Sequence, residues 1–186
     1  QGRMMDTPKL LPDRTRLACR ILKWFALVLI ALIVAAYFLM DVTGNILDSV
    51  WAGLQPDIRD DVDYSAGKKL LMQSLAAISH FSLTLIVIGV ARVFGVFQKG
   101  VVFSPAAVRA VRFLGLMIFV FAAIQLVMPT LMVLGLTFDN GEDRRALTIS
   151  INSSVVIQLM IGAVILVIGQ ILTQATDIAA ENEQFI

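Results

Sequence analysis

Residues 113–138 read FLGLMIFVFAAIQLVMPTLMVLGLTF, 26 positions without one charged side chain. An α-helix rises about 1.5 Å per residue and the hydrocarbon core of a bilayer is about 30 Å thick, so roughly 20 mostly apolar residues cross it. This run is long enough. Three others share the property: Trp24 to Met40, Leu70 to Ala91 and Ala146 to Thr176 hold 17, 22 and 31 residues with no Asp, Glu, Lys or Arg. The shortest reaches spanning length with Leu22 and Lys23, since a lysine near a helix end keeps its ammonium among the headgroups. The longest exceeds one crossing, so its helix is expected to tilt or to run on past the membrane. The composition agrees: 58% of the 186 residues are hydrophobic before glycine is counted, against roughly 45–50% with glycine in soluble domains. That surplus excludes both an ordinary soluble domain and a disordered chain.

The fold class that follows is all-α, an integral-membrane four-helix bundle forming a single domain over 1–186. Its spans are expected at about 21–40, 70–92, 112–138 and 147–174. The first span could be mistaken for a cleaved signal peptide, because Val34-Ala35-Ala36 loosely fits a small-residue cleavage site. The 23-residue leader and the unbroken run through Met40 favour an uncleaved anchor. Cys19 is the only cysteine, which rules out an internal disulfide and leaves a spectator thiol near the headgroups. Trp24, Tyr37 and Trp51 fall near the expected interfaces, where amphipathic rings anchor.

Orientation comes from the basic residues in the connecting segments. The N-terminal segment holds Arg3, Lys9, Arg14, Arg16, Arg20 and Lys23, and the connection 93–111 with its flanks holds Arg92, Lys99, Arg109 and Arg112. The alternate segments hold Arg59, Lys68, Lys69, Arg144 and Arg145. Ten against five places both termini in the cytoplasm (N-in, C-in). The formal net charge of +1 is therefore a sum of opposites, about +5 inside and −4 outside by the same count. A nucleic-acid binder working through bulk positive charge is disfavoured by so small a total.

The outer segment 41–69 contains Ile46, Leu47, Val50, Trp51 and Leu54, one face of a short amphipathic helix closed by Pro56. Such a helix rests on the outer leaflet, caps the bundle, or binds a partner. The acidic run Asp57, Asp60, Asp61 and Asp63 does not fit an EF-hand: counted from Asp61, the glycine and glutamate positions are Ala66 and Met72. It reads as a solvated loop, with a loose cation site as the alternative. On the inner side, the connection 93–111 has no acid, and Ser104-Pro105 is a helix start, a capping hydroxyl followed by proline at the first helical position. The tail 175–186 is acidic, and helical continuation of the fourth span would bring Glu181 and Glu183 to the same face as Lys99, Arg109 and Arg112. These five residues form a candidate cytoplasmic docking surface.

Inside the spans only mild polarity remains. Gln73, His80 and Thr84 fall on one stripe of the second span, with Gln125 on the third and Ser154 and Gln158 on the fourth. Small and hydrogen-bonding residues on one face let membrane helices approach one another. His80 is the one titratable side chain deep in a span; it is expected to hydrogen-bond across the bundle, with Gln125, Ser154 or Gln158 as partners, and proton sensing is the alternative. Pro129 is expected to kink the third helix. No nucleophile and base pair, metal cluster, phosphate loop or intramembrane carboxylate pair occurs, so neither catalysis nor a cofactor is expected. The absence of deep charge also weakens a transport or conductance pathway.

The segment Lys99-Gly100-Val101-Val102-Phe103-Ser104-Pro105, then Arg112-Phe113-Leu114-Gly115, resembles a bacterial four-span membrane family catalogued as domain of unknown function 2975. The ending Leu172 to Ile186, with Ala179-Ala180-Glu181-Asn182-Glu183, is similar to that family's C-terminus. The resemblance runs over roughly residues 20 to 186; the outer segment from Asp41 to Lys69 has no counterpart in it. It implies a bacterial inner-membrane location and a protein partner, because members are often encoded beside a small helix-turn-helix regulator. The expected partners are thus the lipid bilayer and either a cytoplasmic regulator or an integral membrane complex, in which the chain would be an accessory or structural subunit. Direct contact with nucleic acid is not expected.

Overall fold

A computed structural model of the chain describes residues 11–43, 65–100, 102–139 and 152–184. They form four helices: α1 (Asp13–Thr43), α2 (Ala66–Phe97), α3 (Pro105–Thr137) and α4 (Ser153–Gln184). No strand occurs among the described residues. Each helix contains a stretch long and apolar enough to cross a membrane, one from each of the four charge-free runs.

The starts of α2, α3 and α4 are set by capping groups rather than by hydropathy. Ser65 accepts the Lys68 backbone N–H at 3.4 Å and opens α2; Ser104 accepts that of Ala107 at 3.2 Å, with Pro105 at the first helical position, and opens α3. Such side chains satisfy backbone donors that no helical carbonyl can reach. The fourth helix begins at Ser153, where the Asn152 side chain takes the Ser154 N–H at 3.2 Å while its carbonyl accepts from Val155 at 3.0 Å. At the other end α4 continues to Gln184, so most of the segment read as a tail is helical. α3 passes through Pro129 without interruption. The expected amphipathic helix around Ile46 to Leu54 and the Asp57 to Asp63 run lie outside the described residues.

Every substantial contact joins helices adjacent in the chain: α1 with α2, α2 with α3, α3 with α4. The bundle is therefore an open row of antiparallel helices. Between α1 and α2, Ala26 packs with Val87 and Ala91, and near the opposite end Tyr37 packs with Ala76. Tyr37, expected as an interfacial anchor, is buried in this seam, its hydroxyl donating to the Gln73 carbonyl at 3.2 Å and its ring 5.3 Å from that of His80. Val93, Ala110 and Val111 form a further cluster that reaches Ile165 and Leu172 of α4.

Close approach sets the spacing in this row. A Cβ built on Gly115 would lie 2.9 Å from Leu166 Cγ and 3.1 Å from the Leu166 backbone nitrogen, so only glycine lets α3 and α4 meet there. Gly89 plays the same part between α2 and α3, 3.1 Å from Leu114 Cα. The outward surfaces stay apolar: only 11, 33, 22 and 17% of the most hydrophobic windows of the four helices is buried within the chain. So much exposed hydrocarbon is matched by lipid and not by water.

The α3–α4 contact gives a direct test. Gly115→Ala is expected to destabilise the protein by about 1–3 kcal/mol through overpacking, whereas Gly67→Ala, whose nearest neighbour is Ser65 Oγ at 4.0 Å, is expected to stay within about 0.5 kcal/mol. Thermal unfolding in a mild detergent checks both.

Candidate functional site

The start of α1, the end of α2, the start of α3 and the end of α4 meet at one end of the row. Gly100, at φ 86°, lets the chain reverse between α2 and α3; its N–H bonds the Phe97 carbonyl at 2.9 Å. The chain before α1 braces this turn: Leu11 N–H donates to the Gly100 carbonyl at 3.0 Å and Arg16 Nε to that of Gln98 at 3.3 Å. Asp13 pairs with Arg16 at 3.6 Å.

Two of the expected docking cations have different duties here. Arg112 reaches across to α4 and donates to Gln170 Oε1, with its Cγ seated over Gly169. It serves helix packing. Arg109 instead lines an open cavity of about 410 Å³ between α2 and α3, opposite Arg92 and floored by Val96, Ala106, Ala110 and Phe113. The Arg92 guanidinium lies 4.4 Å from the Phe113 ring centroid, a cation–π contact that holds it in place. Neither Arg92 nor Arg109 has an acidic partner among the described residues. Lys99 is exposed in the turn itself. The side chains of Glu181 and Glu183 lie outside the described ones, although α4 carries their backbone as helix. Arg92 counted only as a flanking charge in the sequence; its placement opposite Arg109 depends on how α2 and α3 face each other, which no local pattern encodes.

The intramembrane stripe separates as well. Among the described residues the hydrogen bond that His80 makes is to its own helix and not across the bundle: Nδ1 lies 3.0 Å from the Ala76 carbonyl, a bond made by the tautomer with its proton on Nδ1. Thr84 is buried, and its hydroxyl donates to the His80 carbonyl at 3.3 Å. His80 and Gln125 do share a cavity of about 200 Å³, with Ser79, Leu83 and Phe121. Gln73 is half-buried at the α1 contact, its carbonyl accepting from Tyr37. Ser154 is exposed in the first turn of α4 rather than turned inward. Gln158 keeps a buried Oε1 with no hydrogen-bond partner among the described residues. The structure therefore brings together His80 and Gln125 but not the whole set, because hydroxyl and imidazole groups in a helix reach a carbonyl one turn back more readily than a neighbouring helix.

At the far end of the row, Lys68 of α2 is 7% exposed and pairs at 3.7 Å with Asp139, just beyond α3. No local pattern marks this pair, since its members lie in different connecting segments.

No curated protein and no solved structure matches the chain. A family model described as "Protein of unknown function (DUF2975)" matches residues 59–186, which takes in α2, α3, α4 and the turn between α2 and α3. With more than half of its length under that model, this four-helix membrane chain belongs to that family of proteins of unknown function.

Proposed function

We propose that the protein is a non-enzymatic inner-membrane protein that acts through protein contacts, its basic end docking an acidic surface of a soluble cytoplasmic protein. The observation that carries this reading is the placement of Arg92 and Arg109 on facing helices around one open cavity, with no acidic partner among the described residues. Two guanidiniums held apart by an apolar floor suit a carboxylate-bearing surface, because each presents a planar fork of donors to an incoming anion. The small helix-turn-helix regulator implied by the family resemblance is the partner this reading favours; the protein would hold or release it from the membrane. The excess of basic residues in the segments at this end supports a cytoplasmic location for it and for both termini.

A second reading, an accessory or structural subunit of a larger membrane complex, is favoured by the outward faces of α1 and α4. Each of these helices has one substantial neighbour, and residues such as Phe25, Leu32, Met160 and Val164 are exposed along them. Mild-detergent purification with mass identification separates the two readings: a soluble protein supports docking, integral membrane proteins support a complex.

The docking surface is tested by charge reversal that spares the helix packing. In the Lys99→Glu/Arg109→Glu double variant a co-purifying soluble protein is expected to be lost, and its retention contradicts the proposed surface. Arg112 belongs in a separate control. Arg112→Ala is expected to lower stability by about 1 kcal/mol through loss of the Gln170 bond, while Lys99→Ala leaves the melting temperature unchanged; thermal unfolding in the same detergent checks both.

A further inference from the structure

Opposite the basic end, α2 and α3 enclose a second cavity of about 480 Å³, inside the range of roughly 300–1,000 Å³ typical of small-molecule sites. Its walls are Leu71 and Leu75 of α2 and Leu131 and Leu134 of α3, with Phe138 at the mouth and Lys68 and Asp139 at the polar end. Leu71, Leu131 and Phe138 remain exposed, so the cavity is open rather than sealed.

Lys68 is an unusual residue to find here. Its side chain is 7% exposed, and burial disfavours a lone charge. It occupies the first turn of α2, three residues after the Ser65 cap, where the positive end of the helix dipole disfavours a second positive charge. Against these two penalties stands one carboxylate, Asp139, at 3.7 Å, beyond hydrogen-bonding distance and itself 73% exposed. An ammonium has three N–H donors, and no acceptor among the described residues takes any of them. An anion seated at the head of this cavity would meet both the ammonium and the favourable end of the α2 dipole, with four leucines beneath it.

The geometry points to a binding site for an anionic amphiphile, a carboxylate or phosphate carried on an acyl chain, with the anionic head on Lys68 and the chain among Leu71, Leu75, Leu131 and Leu134. Asp139 is then the ligand's competitor: it holds the ammonium while the site is empty and gives way when a stronger anion arrives. This site does not depend on the docking proposal, since it lies at the other end of the row and its test reads binding alone.

The test titrates the full chain in phosphatidylcholine nanodiscs, with empty nanodiscs as the reference for partitioning, using dodecanoate, dodecyl phosphate and dodecanol as probes. The wild type is expected to hold the two anions at least about tenfold more tightly than the alcohol, as a hydrogen bond to a charged group allows. Either order of the two anions supports the site and identifies its source, free fatty acid or phospholipid-type phosphate. Lys68→Met is expected to abolish the preference for anions, and Leu134→Trp, which fills the cavity, to weaken all three probes. Asp139→Asn, at an exposed position that tolerates substitution, is expected to tighten dodecanoate by about threefold by removing the competing carboxylate. Equal binding of dodecanol and dodecanoate to the wild type, or weaker dodecanoate binding in Asp139→Asn, overturns the proposal. The Asp139 variant keeps the test decisive even if Lys68→Met fails to fold.

Discussion

A polar group carried into hydrocarbon has no water to bond, so it must find its partner inside the protein. For the backbone that demand produces four uninterrupted helices. For the side chains it has a second consequence, because the nearest acceptor is a carbonyl one turn earlier in the same helix. Ser74 donates to the Leu70 carbonyl at 2.8 Å, Thr137 to Val133 at 2.9 Å, Thr173 to Gly169 at 2.9 Å and Thr176 to Leu172 at 2.8 Å. His80 and Thr84 follow the same rule. Apart from Tyr37, whose hydroxyl crosses from α1 to the Gln73 carbonyl of α2, these polar residues quiet their own helix instead of gluing it to the next.

Cohesion between helices is consequently left to close packing and to the charged ends. The apolar tails of lipid compete on equal terms with leucine, so only surfaces that fit more tightly than lipid hold together. Gly89 and Gly115 provide that fit in the half of the row nearer the basic end. At the ends, where water begins, Arg112 ties α3 to α4 and Lys68 ties α2 to Asp139, two residues past α3. A row packed in chain order leaves α1 and α4 with broad outward faces for lipid or for other membrane proteins, and leaves the α2–α3 pair flanked by cavities at both ends.

The four crossings were legible in the sequence because charge is excluded from hydrocarbon, and the starts at Ser104 and Pro105 because capping is a local interaction. Asn152-Ser153-Ser154 carries the same kind of signal, yet it lies inside an apolar run, and the absence of charge concealed the helix start. The sites were harder to read for a different reason. Lys68 and Asp139 are 71 positions apart and Arg92 and Arg109 are 17 apart; each pair exists only once antiparallel helices set the register. Arg112 and Arg109 look alike in sequence, and only the direction each takes from α3 separates a packing residue from one that lines an open cavity.

Two chemically distinct ends follow from these constraints. One gathers arginines around the α2–α3 turn, and the other sets a buried lysine at the head of an apolar cavity; the docking proposal needs the first of them on the cytoplasmic side of the membrane. That assignment is read directly by thiol labelling. In a Cys19→Ser background, which removes the only native cysteine, Lys99→Cys and Asp139→Cys are each exposed to a membrane-impermeant maleimide in intact spheroplasts and again after lysis. Labelling is expected at position 139 before lysis and at position 99 only after it. Labelling at 99 in intact spheroplasts, or equal labelling at both positions, would contradict it.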